Sequence, residues 1–376
     1  MLRLSTLAAI AAATAAVSLG AAAEPTPHQL ASVPVKVATP FTHISAAREL
    51  ANGKILVSDA STPGLWLLDP VSGEATPIGQ PGANADQYTQ PAGFYSGAGG
   101  TILLADHSGP RTITLSADGK ITGGYSTAIK GTRSSSDSDT DSTKIDGRGF
   151  AYFVDSGAAF RELTGGKSSG SADLVRLDPV KQTRDIVTKV MVPVQHQTGS
   201  GNGMVYTSST IGDPADGWGV MADGRVAVVR AAPYRVEWIS PAGKSTLGPV
   251  VAYDPIPFTA QDREAYEKRA GRGGVSVGIA GGTGSGTAPI EREYAKVKPA
   301  FAPNDVIVSS SGHVWVMRTQ PFGATTTTYD VFDGTGARVD RVTFPAESRV
   351  IGFGPGSVLV REGASKNASL RKYKAS

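Results

Sequence analysis

Short apolar blocks separated by glycine- and proline-bearing turns run the length of the chain, and one block recurs six times. A glycine opens it, mostly apolar residues follow, and a charged residue closes it. The copies are Gly53-Lys-Ile-Leu-Val-Ser-Asp59, Gly100-Thr-Ile-Leu-Leu-Ala-Asp106, Gly149-Phe-Ala-Tyr-Phe-Val-Asp155, Gly224-Arg-Val-Ala-Val-Val-Arg230, Gly312-His-Val-Trp-Val-Met-Arg318 and, one residue shorter, Gly356-Ser-Val-Leu-Val-Arg361. Such blocks are too short for buried helices, and their β-branched and aromatic content predicts strands. A further strand follows each copy: Leu65-Trp-Leu-Leu-Asp69, Thr112-Ile-Thr-Leu-Ser116, Leu174-Val-Arg-Leu-Asp178, Val236-Glu-Trp-Ile-Ser240, Tyr329-Asp-Val-Phe-Asp333 and Leu370-Arg-Lys-Tyr373. In the first five copies a tight turn comes next, such as Pro70-Val-Ser-Gly73 or Ala117-Asp-Gly119, where glycine supplies the positive φ a hairpin needs. An outgoing strand then follows, as at 74–78 or 339–344, and a strand also precedes each glycine, as at 44–50, 218–221, 306–309 and 350–353.

Each unit therefore reads as four antiparallel strands. One such sheet cannot bury both its faces alone, so the units must pack face to face around an axis. The expected fold is all-β, a six-bladed β-propeller of four-stranded antiparallel blades. The repeat glycines are spaced by 47, 49, 75, 88 and 44 residues, and the two long steps carry insertions. Blade six runs out of chain after its third strand. Residues 33–39, Val-Pro-Val-Lys-Val-Ala-Thr, are expected to pair with residues 370–373 as the missing outer strand, closing the ring and covering two sheet edges. Pro34 is tolerable there because an outermost strand has one free side.

Composition agrees with many turns and one large core: 376 residues, 46 Gly, 24 Pro, 40% hydrophobic and only 18% charged. Arg3, the uncharged apolar run 4–19 and Ala21-Ala22-Ala23 read as a secretory signal cut after Ala23. The expected organisation is a signal peptide, 1–23, and a single propeller domain, 24–376, with insertions at 131–143, 160–172, 195–217 and 254–300. A periplasmic or secreted location follows. With no Cys, neither a lipid anchor of the lipobox type nor a disulfide is expected, and no membrane anchor is assigned. A formal net charge of +3, with no basic block interleaved with aromatics, excludes nucleic acid as the expected partner. A monomer is expected.

These units resemble six-bladed propellers of the NHL and TolB-like type. Residues 312–374, with Val-Trp-Val-Met-Arg318, Tyr329-Asp-Val-Phe-Asp333, Arg349-Val-Ile-Gly-Phe-Gly354 and Leu370-Arg-Lys-Tyr373, resemble the end of a group of exported bacterial six-bladed propeller proteins, as do Arg235-Val-Glu-Trp-Ile-Ser-Pro241 and Tyr253-Asp-Pro-Ile-Pro257. The resemblance implies the fold and export, and no activity.

Every long segment falls on the face that carries the b–c and d–a loops, so a ligand site is expected there: a small molecule, a glycan or a periplasmic protein. The charges closing the six repeats, Asp59, Asp106, Asp155, Arg230, Arg318 and Arg361, are expected to ring the channel mouth, three acids followed by three bases. The local alternative is that each Asp accepts backbone N–H bonds and each Arg pairs with a neighbouring blade. Binding or scaffolding without catalytic machinery, and without a cofactor, is the leading reading. The other is a metal-dependent hydrolase similar to gluconolactonases, with Ca²⁺ at the mouth and Asp213, Asp216, Asn304 and Asp305 as candidate ligands. Against it, the blade-one lead-in Pro40-Phe-Thr-His43 has no acid where those enzymes place a Glu, and no Gly-x-Ser-x-Gly or His-Glu-x-x-His occurs. Within 254–300, Thr259 and Asp262 have capping-box spacing, and Arg263/Glu267 and Glu264/Lys268 support a helix as i,i+4 pairs. Its glycine-rich stretch 271–286 reads as a linker, and the whole insertion as a lid over the mouth.

Overall fold

The structure, a computed structural model, describes residues 24–38, 41–60, 64–84, 86–106, 111–128, 143–155, 167–199, 205–270, 292–363 and 368–375. Residues 1–23, expected to be a signal peptide, residues 131–142, residues 160–166 and the glycine-rich stretch lie outside the described residues.

Six four-stranded antiparallel sheets form the blades, with strands a to d running outward from the axis. Blade one is Ile44–Glu49, Ile55–Asp59, Gly64–Leu68 and Ala75–Pro77; blade two is Pro91–Ser96, Ile102–Asp106, Arg111–Leu115 and Ile121–Ser126. Blade three is Lys144–Ile145, Ala151–Asp155, Ser171–Asp178 and Thr183–Met191; blade four is Gly217–Val220, Val226–Ala231, Tyr234–Ile239 and Ser245–Leu247. Blade five is Phe301–Val308, Val314–Arg318, Thr326–Phe332 and Arg338–Pro345; blade six is Arg349–Gly354, Ser357–Glu362 and Ser369–Lys374. Neighbouring a strands touch all the way round, blade six against blade one included, so the protein is a closed six-bladed β-propeller.

Local chemistry explains the repeat. The six glycines that open the repeats all sit at the a–b turn with φ between 68° and 88°, a region that penalises a Cβ. Strand b lies between two other strands and between two neighbouring blades. Its residues in blades one and two, Ile55–Asp59 and Ile102–Asp106, are buried throughout, which is why they read as unbroken apolar runs. Each blade interface has its own apolar cluster. Tyr234, Phe301 and Phe332 anchor that between blades four and five, and Trp315, Tyr329 and Phe344 that between five and six. The interface of blades two and three is the thinnest, with Leu103, Ala105 and Ile145 beside Tyr95. Gly352 lets blade six approach blade one: a Cβ there would lie 1.7 Å from the Ala47 carbonyl oxygen.

The N-terminal segment closes the ring, in a register displaced from the expected one. Ser32–Val33, rather than 33–39, pairs antiparallel with the last strand (Ser32 opposite Tyr373, Val33 opposite Lys372). Pro34 ends this pairing, and residues 36 and 38 donate instead to the carbonyls of Pro70 and Gly73 in the outer turn of blade one. Upstream, His28–Gln29 adds a parallel strand to the outer edge of blade five, a feature with no counterpart in the repeat. The segment thus spans blades five, six and one, and Leu30 is buried among Trp315, Tyr329 and Val342.

The two large insertions meet on the rim. Residues 195–217 carry the hairpin Gln195–Gly199/Val205–Ser209. Residues 254–300 carry the ribbon Ile256–Pro257/Val297–Lys298 and the helix Ala260–Ala270. Ile211 joins them: its N–H donates to Glu293 (2.8 Å) and its carbonyl accepts from Ala295 (2.9 Å). The helix starts with the expected box, Asp262 accepting from the Thr259 amide (2.8 Å) and hydroxyl (2.7 Å) and donating its own amide back (3.2 Å). Glu267, expected to pair with Arg263, turns instead to Arg292 and Tyr294, while Arg263 lies over the Tyr294 ring, 5.3 Å from its centroid. Tertiary partners outcompete an i,i+4 pair worth only a few tenths of a kcal/mol, roughly 0.2–0.5.

Candidate functional site

The charges closing strand b sit one strand out from the axis, and none of them lines the central cavity. Asp59 accepts the backbone amides of Thr42 (2.8 Å) and His43 (3.0 Å), holding the chain as it turns into strand a. Asp106 repeats this one blade on, accepting from the Thr89 amide and hydroxyl (both 2.8 Å), the Gln90 amide (2.6 Å) and Arg111 (2.8 Å). Asp155 pairs with Arg184. Arg230 pairs with Asp216 (2.7 Å) and Glu237 (2.6 Å). Arg318 pairs with Asp330 (2.9 Å), donates to the Ala300 carbonyl (3.1 Å) and lies over the Tyr234 and Tyr253 rings. These charges are spent on neighbouring chain. Arg361 differs: its Nη1 donates to the Ile44 carbonyl (3.3 Å) and its buried Nε has no partner among the described residues. Burial first, then the charge of Arg349 directly across the sheet, pulls its pKa below the ordinary value.

The candidate metal ligands are engaged separately. Asp216 accepts the amides of Met191 and Ala231 (both 2.9 Å) besides Arg230. Asp305 pairs with Arg349 (3.1 Å), and the Asn304 carbonyl accepts from the same guanidinium. Asp213 lies near His196 and Glu293, with burial raising its pKa. Among the described residues no three His, Asp or Glu side chains gather closely enough to hold an ion.

A cavity of about 690 Å³ runs along the axis, walled by the a strands of all six blades. It reaches the a–b turns, with Ala51, Ala222 and Pro355 at that rim, so it meets the short-turn face, opposite the loop-rich one where a site was expected. Strand register defines a level one step in from this rim. Arg48, Tyr95, Lys144, Gly219, Ile307 and Gly352 stand opposite Leu56, Leu103, Tyr152, Ala227, Trp315 and Leu359, equivalent positions in the six b strands. All six line the cavity. Blades one to three fill the level with a guanidinium, a phenol and an amine, and blades four to six with two glycines and an isoleucine.

Each of the three polar side chains reaches towards the next blade. Arg48 Nη2 donates to Ser96 Oγ (2.9 Å), Tyr95 donates to the Thr143 carbonyl (3.3 Å), and Lys144 Nζ donates to the Trp218 carbonyl while lying 4.3 Å from the Trp218 ring centroid. Burial lowers the Arg48 pKa, pushes Tyr95 far above its ordinary value and brings Lys144 down to about 8. Neither Arg48 nor Lys144 forms an ion pair among the described residues. The cavity's carboxylates are taken: Glu49 by Lys372 and Ser357, Asp305 by Arg349. Two cations are therefore left over in a half-enclosed space, where screening is weak.

Nothing local marks these residues in the sequence, where the most regular charge is the one that closes the repeat. A usable signal exists: Arg48, Tyr95 and Lys144 each precede their repeat glycine by five positions, as do Gly219 and Ile307.

No family model and no curated protein matches the sequence. Solved structures with a similar chain path include an exported protein from Bacteroides fragilis (12% identity, TM-score 0.45, covering 92% of this chain and 93% of that one). A gluconolactonase from Xanthomonas campestris matches at 11% identity and a TM-score of 0.44, covering 93% and 98%. A virginiamycin B lyase from Staphylococcus aureus matches at 8% and 0.41, covering 93% and 99%.

Proposed function

We propose that this protein is an exported ligand-binding propeller whose central cavity takes a small anionic molecule, a carboxylate or phosphate. The observation that carries this reading is the pair of cations, Arg48 and Lys144, entering one cavity at the same level with no carboxylate to neutralise them. An uncompensated charge in a low-dielectric pocket is costly, and an anionic ligand that accepts hydrogen bonds from both relieves that cost. Apolar walls and a few convergent polar groups in a cavity of this size are what small-molecule sites have. The cavity reaches the rim formed by the short a–b turns, at Ala51, Ala222 and Pro355, which offers a way in. Export rests on the N-terminal sequence, and the site would work in the periplasm or outside the cell.

Calorimetric titration with a panel of mono- and dicarboxylates and phosphate monoesters tests the reading. Saturable binding that weakens at least tenfold in both Arg48→Ala and Lys144→Ala is the expected result. Absence of saturable binding by every anion in the millimolar range overturns it. Arg361→Ala and Asp155→Ala, outside the cavity wall, serve as controls that leave affinity unchanged.

A further inference from the structure

We infer that Lys144 is a reactive amine that condenses with a carbonyl compound held in the channel by its own anionic group, a 2-oxo-carboxylate being the simplest of the class. The inference rests on the anion-binding reading and goes a step past it, from attraction to bond formation. Four observations lead here. Lys144 is one of only two residues in the innermost strand of blade three, so its backbone is fixed by pairing with Tyr152 while its side chain crosses to blade four. Its Nζ rests against the Trp218 ring and has one acceptor among the described residues, a carbonyl, which leaves lone-pair chemistry open once the proton is gone. The charged groups that share its cavity are Arg48, itself without an ion pair among the described residues, Glu49, engaged by Lys372 and Ser357, and Asp305 and Arg349, paired with each other. Blades four to six place glycine or isoleucine at the same level, so the propeller has no structural need for an amine there.

The environment sets the protonation state. An ammonium without a counter-ion loses solvation on burial, and burial alone brings Lys144 to about 8. At pH 7.5 roughly a quarter of such an amine is free base, against roughly one part in a thousand for a lysine with the ordinary value of about 10.4. Desolvation in an apolar pocket is one of the recognised ways an amine becomes a nucleophile.

The step balances without an oxidant or a metal. The neutral amine adds through its lone pair to the carbonyl carbon as the C=O π bond breaks, and one of its two protons passes from nitrogen to the carbonyl oxygen to give a carbinolamine. The nitrogen then loses its remaining proton as the hydroxyl leaves, so that one water is released and a C=N bond replaces C=O. Arg48 and Tyr95 stand at the same level on the two preceding blades. The guanidinium keeps N–H groups beyond the one given to Ser96 with which to hold a carboxylate, while the phenol, kept protonated, spends its O–H on the Thr143 carbonyl and forms part of the wall.

The test uses the mature chain with 2-oxoglutarate and glyoxylate as probes, cyanoborohydride to trap the imine as a secondary amine, and peptide mapping to locate it. Lys120, on an outer turn with 82% of its side chain exposed, is the internal reference. We expect Lys144 to be labelled at least tenfold faster than Lys120 at pH 7.5, with a rate that rises through a midpoint near pH 8. Arg48→Ala should slow labelling of Lys144 and leave Lys120 unchanged. Lys144→Arg should lose the adduct at that position, whereas Arg361→Ala, outside the cavity wall, should keep both the adduct and anion binding measured by calorimetry. Saturable 2-oxoglutarate binding with Lys144 labelled no faster than Lys120 overturns the imine and leaves the anion site standing. Absence of both binding and selective labelling overturns the two together.

Discussion

Tyr234 of blade four donates its hydroxyl to the buried carboxylate of Asp330 in blade five, 3.0 Å away, across the interface where its ring packs against Tyr253, Phe301 and Phe332. Asp330 is fully buried and receives three guanidinium groups as well: Arg318 (2.9 Å), Arg341 (3.1 Å) and Arg338 (3.5 Å). Glu24, at the start of the described chain, pairs with Arg338 (2.7 Å) and approaches Arg341 (4.0 Å). Burial, then the Asp330 charge, raises the Tyr234 pKa well above its ordinary value, so the phenol stays a donor across the physiological range. Two blades and the N-terminal segment thus share one carboxylate.

Removing that carboxylate should be far more damaging than removing the phenol. Asp330→Asn leaves Arg318 without its carboxylate and Arg338 and Arg341 with Glu24 alone, and is expected to cost about 3–5 kcal/mol. Tyr234→Phe removes one donor and should cost about 1–2 kcal/mol. Urea denaturation of both variants checks the ratio; equal losses would mean that the arginines find solvent when Asp330 is neutralised.

The strand-b acids should behave as struts. Asp106→Asn weakens two backbone hydrogen bonds and the Arg111 pair, with an expected loss of about 2–3 kcal/mol. Affinity for any anion found to bind the cavity should not change, because Asp106 faces the lead-in to strand a and not the cavity. Calorimetry beside denaturation separates the two effects.

Ring closure should depend on very few residues. Deleting 24–38 uncovers the outer edges of blades five and six together, and the thermal unfolding midpoint should fall sharply. Leu30→Ala isolates the packing part of this and should cost about 2 kcal/mol. If the deletion melts like the parent, blade six is stable on three strands.

Stability should respond to pH through Lys144. Below about pH 8 the ammonium is charged in the folded and unfolded chain alike, and its lost solvation weakens the fold. From about 8 up to the ordinary value of 10.5 the folded protein has released a proton that the unfolded chain still binds, so stability rises with pH. Lys144→Met removes the penalty and should be about 1–3 kcal/mol more stable than the parent at pH 7, less whatever the Trp218 contacts contribute. That advantage should vanish near pH 10.5. Urea midpoints at pH 7, 9 and 10.5 measure it, and a Met variant weaker than the parent at pH 7 would show that the charge is compensated in the fold.

The blade count, the strand order within a blade and the capped helix were legible because each is decided by near neighbours along the chain. A glycine at φ near 80°, a period-two apolar run and a Thr259–Asp262 box need no distant partner to make sense. The closing strand was legible in kind, since blade six lacks one, but its register was not. Which residues pair at an edge depends on where Pro34 interrupts donation and on how Leu30 finds the pocket between Trp315 and Val342.

Sequence by itself determined that Asp59, Asp106, Asp155, Arg230, Arg318 and Arg361 occupy equivalent places, because the repeat enforces that equivalence. Only the tertiary structure decided what those places are: one strand out from the axis, where a charge meets the lead-in chain or a neighbouring arginine or carboxylate before it meets solvent. The same holds for Arg48, Tyr95 and Lys144. Three residues separated by steps of almost fifty positions carry no mutual signal along the chain, and their chemistry becomes common only when six sheets are staggered around one axis and their innermost strands are brought to a single level. Propensity and periodicity act over a few residues, whereas a cavity is a property of how whole blades pack.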